Sequence, residues 1–258
     1  MTDLSDHTGV TDPKAYTPDR DLEVRHFAVK SPFVNIPSTL RADQRVLLNG
    51  IRYSVEMLGV SCQRLGETLN RIADLRQKKE ELPQPSIATA FTDAWSIVDT
   101  TVRLQKLVQQ FPKWNRNSAI RGFVDSTVAA RDLRNGFQHL DNELRTLGNT
   151  NLPALGTLRW STQVAGSNSY RIHALWPGTV TSTEVPINDN RVPMSGTVLR
   201  AYGHVFDIGA AIEAVDRLVR SLEASLSRQF EGQPGSMADI YFSIDVVPDQ
   251  STTETHAK

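Results

Sequence analysis

Between residues 41 and 79 the apolar residues Leu48, Ile51, Val55, Leu58, Cys62, Leu65, Leu69 and Ile72 follow one another at alternating steps of three and four. With 3.6 residues per turn, that spacing lays a single stripe along one side of a helix. The run is too long for a strand, and a helix with one such stripe must bury it against other elements. The dominant architecture is therefore helix on helix. Pro83 and Pro85 close the run, because proline removes a backbone donor and clashes with the preceding turn.

Three further segments carry the same period. A second helix is expected over about Ser86 to Phe111, with Ala90, Ala94, Ile97, Leu104, Val108 and Phe111 on one side and Pro112 ending it. A third runs from about Ser118 to Leu147, with Ala130, Leu133, Phe137, Leu140, Leu144 and Leu147 in its stripe and Gly148 as C-cap. A fourth spans about Asp207 to Phe230, through Ile208, Ile212, Val215, Val219, Leu222 and Leu226. Between the third and fourth the period falls to two. Leu158, Trp160 and Val164 alternate with polar residues, as do Tyr170, Ile172, Ala174 and Trp176, which means strands with one wet face. Trp160, Tyr170 and Trp176 are expected on one sheet face, as core. A last alternating run, Asp239 to Val247, is too short to stand alone and is expected to pair with the inserted strands. The fold class is thus mainly α, an up-and-down four-helix bundle with a small antiparallel β module between helices 3 and 4, completed by a C-terminal strand. By position, residues 1–38 form a flexible leader and 39–235 the bundle, interrupted by the β module at 152–205. Residues 236–248 form the closing strand, and 249–258 a disordered tail. Phe27, Val29, Phe33, Val34 and Ile36 are placed to tack the end of the leader onto the body.

Composition narrows the function classes. Of 258 residues, 39% are hydrophobic and 22% charged, with a net charge of -1, so the whole chain lacks the basic excess of a general nucleic-acid binder. Residues 41–150 nevertheless hold 16 Lys and Arg against 12 Asp and Glu, which permits RNA contact. The single cysteine, Cys62, rules out an internal disulfide and falls in a core stripe. The first twenty residues have no apolar signal-peptide core, and no stretch approaches the ~18 apolar residues that cross a bilayer. A cytoplasmic protein without membrane partners is expected.

One motif carries chemistry. The segment Arg131-Asp132-Leu133-Arg134-Asn135-Gly136-Phe137-Gln138-His139 lies on the third helix. At about 100° per residue, His139 falls roughly 130° from the centre of the core stripe and Asn135 nearly opposite it, with Arg134 on the flank. A buried structural histidine is therefore disfavoured. The alternatives are a solvated polar face and a site. Asn135 and His139 stand four apart and can touch, whereas Arg134 and His139 diverge on the helix. They meet on one phosphate only through the reach of the arginine or by pairing of two subunits' helices.

Arg134-Asn135 followed by His139 after four intervening positions from the arginine, on the third main helix, resembles the signature of the HEPN superfamily (higher eukaryotes and prokaryotes nucleotide-binding). The resemblance covers the four helices alone. It implies a metal-independent endoribonuclease, with no cofactor, whose site is shared across a homodimer, acting in a toxin–antitoxin or phage-defence system beside an antitoxin or regulatory protein. In that reading the RNA 2′-hydroxyl attacks its own phosphate. His139 serves as general acid or base, Arg134 stabilises charge on the phosphate oxygens, and Asn135 holds the register. Arg131, Gln138, Arg76, Lys78 and Lys79 are the candidate substrate-binding residues, the last three as the basic end of helix 1. Some members carry a tyrosine two residues after the histidine, modified by a partner nucleotidyltransferase; here that position is Asp141. The alternative is a non-catalytic HEPN-like protein that binds RNA, nucleotide or a partner through the same face.

Other clusters are weaker. Asp99 and Arg103, four apart on helix 2, are expected to form a local ion pair, with a role as partner to the motif helix as the alternative. Lys113, Trp114, Arg116 and Arg121 combine base and aromatic, but a helix of roughly 30 Å separates them from His139. His173 and His204 have no companions at metal-ligand spacing, so no metal site is read.

Overall fold

The structure, a computed structural model, describes residues 27–28, 30–142, 153–164, 167, 169–178, 196–236, 239 and 243. Over these the chain is mainly helical with a small antiparallel sheet. In order come β1 (Ile36–Pro37), α1 (Ala42–Gln77), α2 (Gln84–Val108), a short 3-10 turn (Trp114–Arg116), α3 (Ser118–Ser126), α4 (Val128–Gln138), β2 (Thr157–Gln163), β3 (Tyr170–Leu175), β4 (Val198–Ala201), β5 (His204–Asp207), α5 (Ile208–Gln229) and β6 (Gly235–Ser236).

The long stripe of α1 is buried as its period demands: Leu48, Ile51, Val55, Leu58, Cys62, Leu65, Leu69 and Ile72 are all in the core. Its main partner is α2, which buries Ala90, Phe91, Ala94, Ile97, Val98, Leu104 and Val108. Helix α3 packs on α5, and α4 lies against α2 and β5. Helix α5 is capped by Asp207, whose side chain accepts from the Ala210 amide at 2.9 Å. The thiol of Cys62 is pushed up to about 12 by burial, and also by the charge of Asp93, so it behaves as a small apolar side chain.

Helix α1 ends in a Schellman motif. Glu80 N–H donates to Leu75 O at 2.9 Å and Lys79 N–H to Arg76 O at 3.2 Å, with Lys79 at φ 60°. A side chain is strained there, and glycine is not. Lys79→Gly should therefore raise stability by about 0.5–1 kcal/mol in a denaturant titration. A loss would mean that the Lys79 side chain makes a contact worth more than the strain.

The expected single third helix is broken in two. At Thr127, φ is -113° and ψ 16°. The cause is a buried polar knot: the Gln105 amide donates to Thr127 O at 2.8 Å and to Thr127 Oγ1 at 2.7 Å. The Thr127 hydroxyl in turn donates to Phe123 O at 2.7 Å. The Thr127 carbonyl, shared with this side chain from another helix, accepts from the Ala130 amide at 3.1 Å in a tight i to i+3 step, and the helix bends. The run stops again at His139, the C-cap of α4, and residues 140–142 are helical once more. Residues 143–152, including Leu144 and Leu147 of the expected stripe, lie outside the described residues, as does the strand expected over 239–247 apart from Asp239 and Ser243.

The sheet order is β3-β2-β4-β5, antiparallel throughout. Leu158, Leu175, Leu199 and Phe206 share one face and are buried. Trp160 stands opposite His173, and Tyr170 opposite Gln163. Trp160 and Tyr170 therefore occupy different faces, not one as expected, because a one-residue difference in register reverses every side chain. His173 stacks on Trp160 with centroids 4.9 Å apart, and its Nε2 lies 2.9 Å from Thr162 Oγ1. Burial pushes its pKa down, helped by Arg171. It is a packing histidine. Strand β6 pairs with β1, in a separate two-stranded sheet. Phe33 and Ile36 are buried, so the end of the expected leader belongs to the body. No helix among the described residues is long and apolar enough to cross a membrane.

Asp93 on α2 is 2% exposed, with Arg64 Nη2 3.3 Å from Oδ1 and no partner for Oδ2. Burial raises its pKa, only partly offset by Arg64. A carboxyl raised in the folded state contributes most stability below its unfolded value and loses it as pH rises through the folded one. Asp93→Asn should thus be more stable than wild type by about 1 kcal/mol at neutral pH. The gap should close in acid. Urea midpoints across pH would show this, and a constant gap would mean that the charge of Asp93 is not the cause.

Candidate functional site

Helix α4 presents the motif. Ala130 and Leu133 are fully buried and fix the helix against α2. Asn135, Gln138 and His139 are then exposed, and Arg134 is half-buried on the flank. The helical projection therefore holds for Asn135 and Gln138, but Phe137, expected in the buried stripe, is exposed. His139 N–H closes the helix on the carbonyls of Asn135 and Gly136, at 3.1 and 3.2 Å, and its ring is in solvent.

Arg134 does not hang free. Its Nε donates to Asp99 Oδ1 at 2.8 Å, and its Nη1 reaches Gln138 Oε1 at 3.4 Å. The expected local pair of Asp99 and Arg103 is replaced by this one. Arg103 turns instead towards Met57 of α1, with Nη1 3.8 Å from Sδ. An exposed pair four apart is worth only a few tenths of a kcal/mol, so the better-placed Arg134, itself partly shielded, takes the carboxylate.

Arg131 sits one turn before Arg134, 3.6 Å from Asp132. It borders a groove of about 410 Å³ between α2 and the α3–α4 bend, lined also by Lys106, Asp125 and Val128. The cations Lys106, Arg131 and Arg134 thus share a face with the anions Asp99, Asp125 and Asp132. Arg76, Lys78 and Lys79 are exposed at the end of α1. Lys79 has a backbone reason for its conformation. Trp114 packs partly into the core, which accounts for the aromatic of the other basic cluster.

The remaining motif residues, Gly136 and Phe137, are structural. The Phe137 ring stacks on Trp95 of α2, centroids 4.6 Å apart and planes 26° apart. Tyr202, in the β4–β5 turn, lies 6.1 Å from Trp95 and covers Gly136 so closely that a Cβ there would stand 2.6 Å from its ring. The Tyr202 hydroxyl donates to Ala154 O at 2.6 Å, and Trp95 Nε1 to Leu155 O at 3.2 Å. Gly156 follows at φ 78°, where a Cβ would meet Arg200 O at 2.2 Å. The β module is therefore clamped onto the motif helix by three aromatic rings. Sequence reasoning missed this clamp. Its one signal was Gly136 in mid-helix, which costs about 1 kcal/mol and asks for a reason.

Comparison with protein-family models, with curated proteins and with solved structures finds no match to this chain.

Proposed function

We propose that the chain is a metal-independent endoribonuclease of the HEPN type, in which α1, α2, the bent α3–α4 pair and α5 serve as the four helices. The site is shared between two copies, each contributing Arg134, Asn135 and His139. The reading is carried by a half-buried guanidinium, oriented by Asp99, among the solvent-facing side chains Asn135, Gln138 and His139. Lys106 and Arg131 along the neighbouring groove offer further phosphate contacts.

The RNA 2′-oxygen forms a bond to the adjacent phosphorus and the bond to the 5′-oxygen breaks. The products are a 2′,3′-cyclic phosphate and a 5′-hydroxyl. One His139 accepts the 2′-hydroxyl proton, and that of the second copy gives a proton to the leaving oxygen. Arg134 stabilises the phosphorane oxygens with forked donors. DNA, lacking the 2′-hydroxyl, is not cut. A cytoplasmic toxin or antiviral effector, held in check by an antitoxin or regulatory protein, is the setting such an activity fits.

The Asp99–Arg134 pair favours a second reading, a non-catalytic HEPN-like face for RNA, nucleotide or protein, because a carboxylate already occupies part of the arginine's donor set. Incubation of total RNA with purified protein in EDTA, wild type beside His139→Ala, separates the two. Cleavage by wild type alone supports the enzyme. Binding without cleavage supports the second reading.

A further inference from the structure

Between Asp99 and Asp132 the chain carries six Lys and Arg against one carboxylate, Asp125, whereas the rest of it holds 22 against 28. The turn from α2 to α3 folds this excess into one region. Lys106, Lys113, Arg116, Arg121 and Arg131 are all exposed. None of the first four has a carboxylate partner among the described residues. The sixth cation, Arg103, turns away towards Met57.

The cations follow a line. Val124, Asp125, Val128 and Arg131 form one wall of the groove between α2 and the α3–α4 bend, with Lys106 and Gln109 on the other. Arg121 stands three residues before Val124 and four before Asp125 within α3, so the helical period puts it on the same wall. Asn135 stands four residues after Arg131 within α4, which carries that wall into the motif. At the far end, Lys113 and Arg116 flank the 3-10 turn that joins α2 to α3. From Arg121 to Arg134 the line is about 20 Å long at 1.5 Å per residue.

Cations strung along a groove match a polyanion lying in it lengthwise. Val124 and Val128 stand between the charges, where sugars and bases fall between phosphates. A space of about 410 Å³ admits a single strand and not a duplex. Asp125, the one carboxylate in the path, is outnumbered by Lys106, Arg121 and Arg131.

We propose that single-stranded RNA lies along this groove from the motif to the α2–α3 turn. Arg131, Lys106 and Arg121 take successive phosphates, and Lys113 and Arg116 hold the far end. The basic turn is thus a remote subsite of the motif, bridged by the strand itself. This rests on the reading above in taking RNA as the polyanion and the motif as the near end, but it needs no cleavage.

Fluorescence anisotropy on the full chain tests it, with a 2′-O-methyl oligouridylate of about twelve nucleotides, inside the range of single-strand sites. The methyl group blocks the 2′-hydroxyl chemistry, so the strand stays whole. Lys113→Gln, Arg116→Gln and Arg121→Gln together should weaken binding with unchanged melting. The slope of log affinity against log salt should fall by about two, since each phosphate on a single strand contributes about 0.7. With 4-thiouridine placed at one end of the strand and then at the other, cross-links should fall on residues 113–121 in one case and on α4 in the other. An unchanged slope with cross-links on α4 alone would overturn the track and leave the RNA reading standing. Absence of binding would overturn both. Equal displacement by polyglutamate would mean an acidic protein partner and would also overturn the track. Binding with both cross-links, but no cutting of the unmodified strand, keeps the track and removes the ribonuclease.

Discussion

RNA cleavage by the His139→Ala protein should fall about 10²–10⁴-fold below wild type, the range that a positioned general acid or base contributes. Its melting temperature should not move. The imidazole is in solvent, and what His139 gives the fold is a backbone N–H to the carbonyls of Asn135 and Gly136, which alanine keeps. A loss of cleavage in this variant is thus a loss of chemistry, not of structure. Arg134→Lys should fail to preserve activity for a different reason. An ammonium cannot hold Asp99 through one nitrogen while presenting forked donors to a phosphate. The two readings diverge on binding. If the face only binds RNA, His139→Ala leaves affinity almost unchanged, while Arg134→Ala weakens it and lowers the salt dependence by about one phosphate contact. Cleavage at equal rates by wild type and His139→Ala would remove the motif from the chemistry altogether.

What the sequence made legible follows from which forces are local. Helices α1, α2 and α5 lie within a few residues of the expected bounds, because an unbroken apolar period and terminal prolines or caps act over a few residues at a time. Strands β2 and β3 are legible for the same reason. The break at Thr127 is not, since the apolar stripe runs straight through Ala130 and Leu133. The bond that bends the chain comes from Gln105, 22 residues away. For Asp99 the sequence left two partners open, Arg103 and the motif helix, and the structure gives the second. Its nearest cation in sequence is Arg103, and only the packing of α4 on α2 brings Arg134 closer. Trp160 lies on the buried face as its alternation reads, whereas β3 turns Leu175 inward and Tyr170 and Ala174 outward, a choice set by register, which alternation alone cannot fix. In the motif, exposure of Asn135, Gln138 and His139 was readable from the helical projection. The aromatic clamp was not, because Trp95, Phe137 and Tyr202 lie on three elements that meet only in the folded chain.

That clamp yields the larger of the stability predictions. Gly136→Ala should destabilise the protein by about 1–2 kcal/mol, although alanine is the better helix former by about 1 kcal/mol. The added Cβ would stand 2.6 Å from Tyr202 Cδ2 and 2.9 Å from Tyr202 Cβ. The tyrosine cannot swing aside cheaply, because its backbone sits at φ 51° and its hydroxyl is held by Ala154 O. Removing the obstacle should reverse the sign. In a Tyr202→Ala background the same Gly136→Ala change should stabilise by up to about 1 kcal/mol, its intrinsic helix preference. The double-mutant cycle, read from urea midpoints, should thus give a coupling of about 2–3 kcal/mol. Additive effects would mean that the turn and α4 do not press on one another. Coupling of that size would mean that the β module sets where α4 lies, and with it the position of the whole motif relative to Asp99 on α2. The β module would then act on the motif through the helix that carries it, with no contact to RNA required.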